Sequence, residues 1–188
     1  KIRTNLSILE YDNTVMLFDI IECFRMYGLF FRMSEELTEY MAELGTEGRL
    51  IKIQYEEIML NKNESFEALI RDYQKDCAKV ERIVSKVKDL SKEDLLDDEK
   101  ILNLLGYDIN AANLDEKIEP RGYGLLNNIS KITKKDKETL IKEFSGVQSI
   151  LAASVQEITQ LKGISKFRAL HISKALKRIK NKTALDRE

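Results

Sequence analysis

One proline and eight glycines in 188 residues are too few turn residues for a many-stranded sheet, so an all-α chain of long helices is expected. Cysteine occurs twice. Cys23 and Cys77 lie far apart, with neither zinc spacing nor a disulfide framework, and are expected to be small buried hydrophobes in a reducing, cytoplasmic setting. Histidine occurs once. His171 has no second histidine, cysteine pair or carboxylate cluster beside it, so no metal site is expected, and it should be a packed, partly buried side chain. No Ser/His/Asp or Cys/His constellation is present, so no catalytic residue and no cofactor are assigned to this chain. A long uninterrupted apolar run is also missing. Residues 15–31 come nearest, but Asp19, Glu22 and Arg25 break them, and a central charge costs about 2.5–3.5 kcal/mol on insertion. No membrane span is expected. No small-residue cleavage site follows an apolar core, and the chain starts at Lys1 without methionine, so a fragment or processed product is expected.

What is abundant is apolar and charged surface together, 43% and 34%, a balance that suits a folded helical protein rather than disorder. The net charge of −1 conceals a division. Residues 121–188 carry 15 Lys/Arg against 6 Asp/Glu, while residues 1–120 carry 16 against 26. A basic end on an acidic body points to a polyanion as partner for the basic end. Two domains are expected, a helical stalk over 1–120 and a basic module over 121–188, divided near Pro120.

The apolar spacing predicts helices over about 8–33, 34–60 and 64–87, with Ser34 as cap of the second. The first is apolar nearly all round, so it must be covered by a bundle core, a second subunit or a missing domain. Gly45-Thr46-Glu47-Gly48-Arg49 lacks a preceding strand and a Gly-Lys-Ser/Thr ending, so a close helix contact or kink is expected there rather than a phosphate loop. Ser91 should cap a short helix and Gly106 end it, with a loop over 107–119. The acidic run from Glu93 to Glu99 is expected to be a solvated helix face. Beyond Pro120 the helices shorten: Gly122 to Asn128, Lys134 to Phe144 capped by Thr133, one opened by Ser154 with Glu157, and one from Ser165 to about Lys180.

The chemistry is expected where Lys162, Gly163, Ile164, Ser165, Lys166 and Arg168 form a glycine-bearing turn that feeds a helix. Free amides and the positive dipole end make such a helix start an anion seat, and a DNA phosphate fits it without base recognition. Ile164 would anchor the turn and the basic residues would supply counter-charge. Lys174, Lys177, Arg178 and Lys180 extend the basic surface, and Phe167, Ile172, Ala175, Leu176 and Ile179 are expected to hold the helix's apolar side. Lys131, Thr133, Lys134 and Lys135 form a second such turn without glycine, either a weaker phosphate binder or a structural partner in a pseudo-twofold pair.

Several segments, in order, resemble a known family. They are Glu43-Leu44-Gly45-Thr46-Glu47-Gly48-Arg49-Leu50-Ile51, Asp94-Leu95-Leu96-Asp97-Asp98, Leu104-Leu105-Gly106-Tyr107, Asn113-Leu114-Asp115-Glu116, Pro120-Arg121-Gly122-Tyr123 and the closing Leu185-Asp186-Arg187. Together they resemble the linker and C-terminal parts of the DisA family of bacterial DNA-integrity scanning diadenylate cyclases. The resemblance implies a parent with an N-terminal cyclase domain that joins two ATP molecules into cyclic di-AMP with Mg or Mn, a helical spine, and a helix-hairpin-helix domain. It implies DNA as partner, probed at branched or recombination structures that inhibit the cyclase, a homo-octameric parent, and a cytoplasmic, nucleoid-associated location. The cyclase motifs Asp-Gly-Ala and Arg-His-Arg are absent from this sequence. Where the family has Gly-Ile-Gly, this chain has Gly163-Ile164-Ser165. Serine is a good cap, but a positive φ there would cost it about 1 kcal/mol. Two rival readings are a protein-interaction arm without DNA binding and a residual enzyme.

Overall fold

The computed structural model describes residues 2–45, 48–75, 79–110 and 112–185. Among them there is no strand, only one isolated antiparallel bridge between Met16 and Lys117. The stalk begins with α1 (Ile2–Asp12), α2 (Leu17–Glu43) and α3 (Gly48–Tyr73), continues with α4 (Val80–Asp89) and α5 (Lys92–Leu95), and ends with α6 (Asp98–Leu105). The basic end holds α7 (Tyr123–Asn127), α8 (Lys134–Glu143), α9 (Val147–Ala152), α10 (Val155–Gln160) and α11 (Lys166–Leu185). No helix among the described residues is long and apolar enough to cross a membrane.

Helix boundaries in the stalk differ from the sequence expectation. The helix expected over 8–33 is two helices, broken at Asn13, which takes a left-handed φ of 54°. The amides that open α2 are satisfied from far away: Leu17 and Phe18 donate to the carbonyls of Glu116 and Leu114. Ser34 caps nothing. It lies buried inside α2, and its hydroxyl donates to the Phe31 carbonyl one turn back. The helix instead runs on to Glu43 and reverses at Gly45 (φ +58°). A Cβ on Gly48 would lie 2.8 Å from the Met41 carbonyl oxygen, so glycine lets α3 start close against α2. The close contact is real, as the turn of a long antiparallel helix pair. Thr46 and Glu47 lie outside the described residues. The helix expected over 64–87 is the end of α3 plus α4, and Cys77 also falls outside the described residues.

One face of the nearly all-apolar α2 is covered within the chain, while Phe18, Met26, Met33, Leu37 and Tyr40 of the same helix stay exposed. Leu17, Ile20, Ile21, Phe24, Tyr27 and Phe31 are buried in one core with Phe66, Leu69 and Ile70 of α3, Ile83 and Val87 of α4, and Ile101 and Leu105 of α6. Phe66 sits among Phe24, Tyr27 and Phe31 with ring centroids 4.8, 5.0 and 5.3 Å away. Cys23 is buried. The acidic run serves as caps more than as a bare solvated face. Asp94 closes a capping box with Ser91, and Asp97 caps α6. Asp98 pairs with Arg25 of α2. A hydrogen bond from Lys100, followed by those from Ser91, brings the Asp94 carboxyl down to about 2. Gly106 ends α6 in the left-handed conformation, as expected.

A second core, built from Leu125, Leu126 and Ile129, Leu140 of α8, Val147 and Ile150 of α9, Ile158 of α10, and Ile164, Ala169, Ile172 and Leu176, fills the basic end. The two halves are joined by exchanged caps. The buried Asp72 near the end of α3 accepts from the amides of Gly122, Tyr123 and Gly124 at 2.8, 2.6 and 2.8 Å, so a stalk carboxylate caps α7. In return Arg121 donates to the carbonyls of Arg71 and Gln74, both at 2.7 Å. Gln148 of α9 donates to the last carbonyls of α1, Glu10 and Tyr11.

Candidate nucleic-acid interface

The chain repeats one short pattern twice. Ile129-Ser130-Lys131-Ile132-Thr133-Lys134 leads into α8, and Leu161-Lys162-Gly163-Ile164-Ser165-Lys166 leads into α11. The third residue of each is left-handed, Lys131 at φ 58° and Gly163 at φ 93°. The fifth residue of each is the hydroxyl cap. Two helix pairs with the same turn geometry therefore stand in the basic end, one using glycine and one forcing lysine into a conformation costly for a side chain.

In the second turn, the buried Ile164 holds the loop to the core and its amide donates to the Leu161 carbonyl. Lys162, Gly163, Ser165 and Lys166 are exposed. The amides of Gly163, Ser165 and Lys166 have no acceptor among the described residues. A Cβ at Gly163 would meet nothing within 4 Å, so the turn opens onto solvent. Ser165 is not among the residues with positive φ, so the penalty considered for serine there is not incurred. These amides lead into a 20-residue helix whose dipole adds positive potential at the same place.

Arg168 faces another way. One of its terminal nitrogens donates to both carboxyl oxygens of Asp136, at 2.8 and 3.0 Å, and the other to the Gly163 carbonyl at 3.1 Å. The guanidinium ties the second turn to the first helix pair. Asp136 is buried and also accepts from the amide and hydroxyl of Thr133. Burial pushes its carboxyl up, but the bonds from Thr133 and Arg168 outweigh this and hold it below the ordinary carboxylate value. Next to this clasp the His171 ring meets the Ser130 carbonyl at 2.8 Å. The starts of α8 and α11 are thus brought side by side.

At the first turn, Lys131, Thr133, Lys134 and Lys135 are exposed. Thr133 forms its capping box with Asp136. Lys134 and Lys137 line a cleft against Glu64, Glu67 and Arg71 of the stalk. Partial burial lowers the pKa of Lys137, against the opposing pull of Glu64. The acidic stalk therefore faces one cation of the first turn, Lys134, whereas among the described residues no ion pair involves Lys162 or Lys166. Along α11, Lys174, Lys177, Arg178 and Lys180 are exposed and Ile172 and Leu176 buried. Among the described residues no cluster of His, Cys, Asp and Glu could hold a metal ion.

Sequence reasoning placed Phe167 on the apolar side of α11, and the structure leaves it 80% exposed. The buried face is set by Ala169, Ile172 and Leu176, and at 100° per residue Phe167 points away from all three. The helical spacing alone carries this signal. Asp72, Gln148 and the pairing of Asp136 with Arg168 have no local signal, because the partners come from distant segments.

Residues 1–114 match the family model described as the DisA bacterial checkpoint controller linker region. The chain is 37% identical over 184 residues to the DNA integrity scanning protein DisA of Bacillus subtilis (strain 168), covering 97% of this chain and 51% of that protein. It is 34% identical over 187 residues to the protein of the same name from Clostridium perfringens (strain 13 / Type A), covering 100% and 52%. The protein of that name from Carboxydothermus hydrogenoformans is 34% identical over 185 residues, with 97% and 53% covered. The chain thus spans about half the length of these curated relatives.

Proposed function

We propose, from the premise that this chain belongs to the DisA family, that it binds DNA by its phosphates through the turn from Lys162 to Lys166. The observation that supports this most is the Gly163 turn itself. Three amides without acceptors among the described residues and two exposed lysines converge at the start of a long helix, with open space in front of Gly163. The module from about Arg121 onward is a helix-hairpin-helix unit. Lys131, Thr133, Lys134 and Lys135 form its second and weaker contact, since Glu64 and Glu67 oppose Lys134 across the cleft. Arg168, held by Asp136 and the Gly163 carbonyl, shapes the turn. No base edge is read, so binding is independent of sequence, and branched or recombination-type DNA is the expected preference.

In this reading the chain is the non-catalytic portion of a longer protein. It conveys the state of DNA to a cyclase domain that makes cyclic di-AMP from ATP with Mg or Mn in a homo-octamer. The chain itself contributes no catalytic residue, metal ligand or cofactor contact. The rival role, a protein-docking arm, draws on the cleft where acidic stalk already faces basic module.

The test is a titration of linear, nicked and four-way DNA at two salt concentrations, with wild type and the double variant Lys162→Glu/Lys166→Glu. Affinity should fall with salt at a log–log slope of about −0.9 per phosphate contacted, and the variant should bind every form more weakly with a shallower slope. Equal binding by wild type and variant refutes the assignment. An absence of binding to any DNA by wild type favours the docking arm.

A further inference from the structure

Phe167 is the second residue of α11, 80% exposed, next to the exposed Lys166 and following the open Gly163 turn. Leu170, one helical turn on, is 40% exposed and extends the same apolar tip. Among the described residues the ring packs against no other aromatic side chain. The core of this end is complete without it.

We propose that Phe167 stacks on an unpaired or unstacked base of DNA held at the neighbouring turn, which makes this site selective for interrupted duplexes such as gaps and branch points. The inference rests on the DNA-binding reading given above. A phenyl ring has no hydrogen-bonding group, so it cannot read base edges, but it offers a flat face on which any base can stack. The positive groups around it attract the backbone, and they place the ring where a base next to that backbone would lie. An intact duplex has no free base faces, and wedging a ring between its steps costs a few kcal/mol of lost stacking. A gap or branch point presents those faces with far less to undo. Phosphate contacts therefore supply binding common to all DNA, and Phe167 adds binding only where the stack is already broken. Leu170 gives the displaced base an apolar floor.

The experiment uses the full chain and two labelled DNAs, a continuous duplex and the same duplex with a short gap edged by 2-aminopurine. The quantity read is the ratio of affinities, gapped over continuous, for wild type, Phe167→Ala and Phe167→Trp. Wild type should favour the gapped form. Phe167→Ala should reduce that preference by roughly 5- to 150-fold, the range of one base–aromatic stack, and Phe167→Trp should keep it. The change in 2-aminopurine emission on binding should follow the same order. A wild type without preference, or a Phe167→Ala ratio equal to wild type, overturns the stacking role while leaving phosphate binding intact. Wild type that binds neither DNA overturns the DNA reading and this inference together. The side chain is outside the core, so the alanine variant is expected to fold.

Discussion

Asp136 occupies the third position of α8 and Arg168 the third position of α11, and the two pair across the symmetry of the repeated turns. Each also serves its own half: Asp136 closes the Thr133 capping box, and Arg168 holds the Gly163 carbonyl. Replacing Asp136 by Asn removes a charge-assisted pair and should cost about 1–3 kcal/mol near neutral pH, read as a lower urea midpoint. The pH dependence follows from the direction of its shift. The folded carboxyl lies below its unfolded value of about 3.9, so its contribution is full above that pH and is lost as pH falls through the folded value. Wild type and Asp136→Asn should therefore converge in acid and separate near neutrality. A gap that persists or widens in strong acid contradicts this account. Residues of this kind were only half legible. Thr133 with Asp136, Ser154 with Glu157 and Ser91 with Asp94 announce themselves three positions apart. The partner of Asp136 is 32 residues away, and nothing local gives it.

At the scale of elements, helix ends decide what could be read. Ends closed by neighbours, such as Gly106 after α6 and Thr133 before α8, fall where the sequence places them. Ends closed from a distance do not. The break at Asn13 is held by carbonyls of the 112–118 loop, and the end of α3 by Arg121, so periodicity alone ran helices together over 8–33 and 64–87. Arginine recurs as the closing group, with Arg25 on the Leu95 carbonyl and Arg32 on that of Leu90. The five-residue α7 depends on this kind of help, being too short to hold itself. Asp72→Ala leaves its first amides without their acceptor and should cost roughly 1–3 kcal/mol, while Asp72→Asn, which keeps one acceptor oxygen, should cost less. Hydrogen exchange at Gly122, Tyr123 and Gly124 should quicken in the same order. Unaltered exchange in Asp72→Ala contradicts the borrowed cap.

Across the whole molecule, the division of charge was the most legible property, and it locates the basic end without its geometry. The two cores could not have been foreseen as coupled. Tyr11 of α1 packs against the second core, Gln148 closes α1, and α3 trades caps with the Arg121 segment. One cooperative unfolding transition is expected, with far-UV circular dichroism and the emission of the seven tyrosines coinciding, there being no tryptophan. The double variant Asp72→Ala/Gln148→Ala should pull the two signals apart. Separate transitions in wild type contradict the coupling.

Asp72 has a practical consequence for anyone dividing the chain at Pro120. Such a cut strips three amides of their carboxylate on one side, and strands a buried charge and two helix-end carbonyls on the other. Each piece would carry a raw edge that the intact polypeptide never shows to solvent. The excised basic piece would also expose a cluster of vacant N–H donors, attractive to any stray anion, and its affinity for nucleic acid would be inflated by a surface created with the scissors.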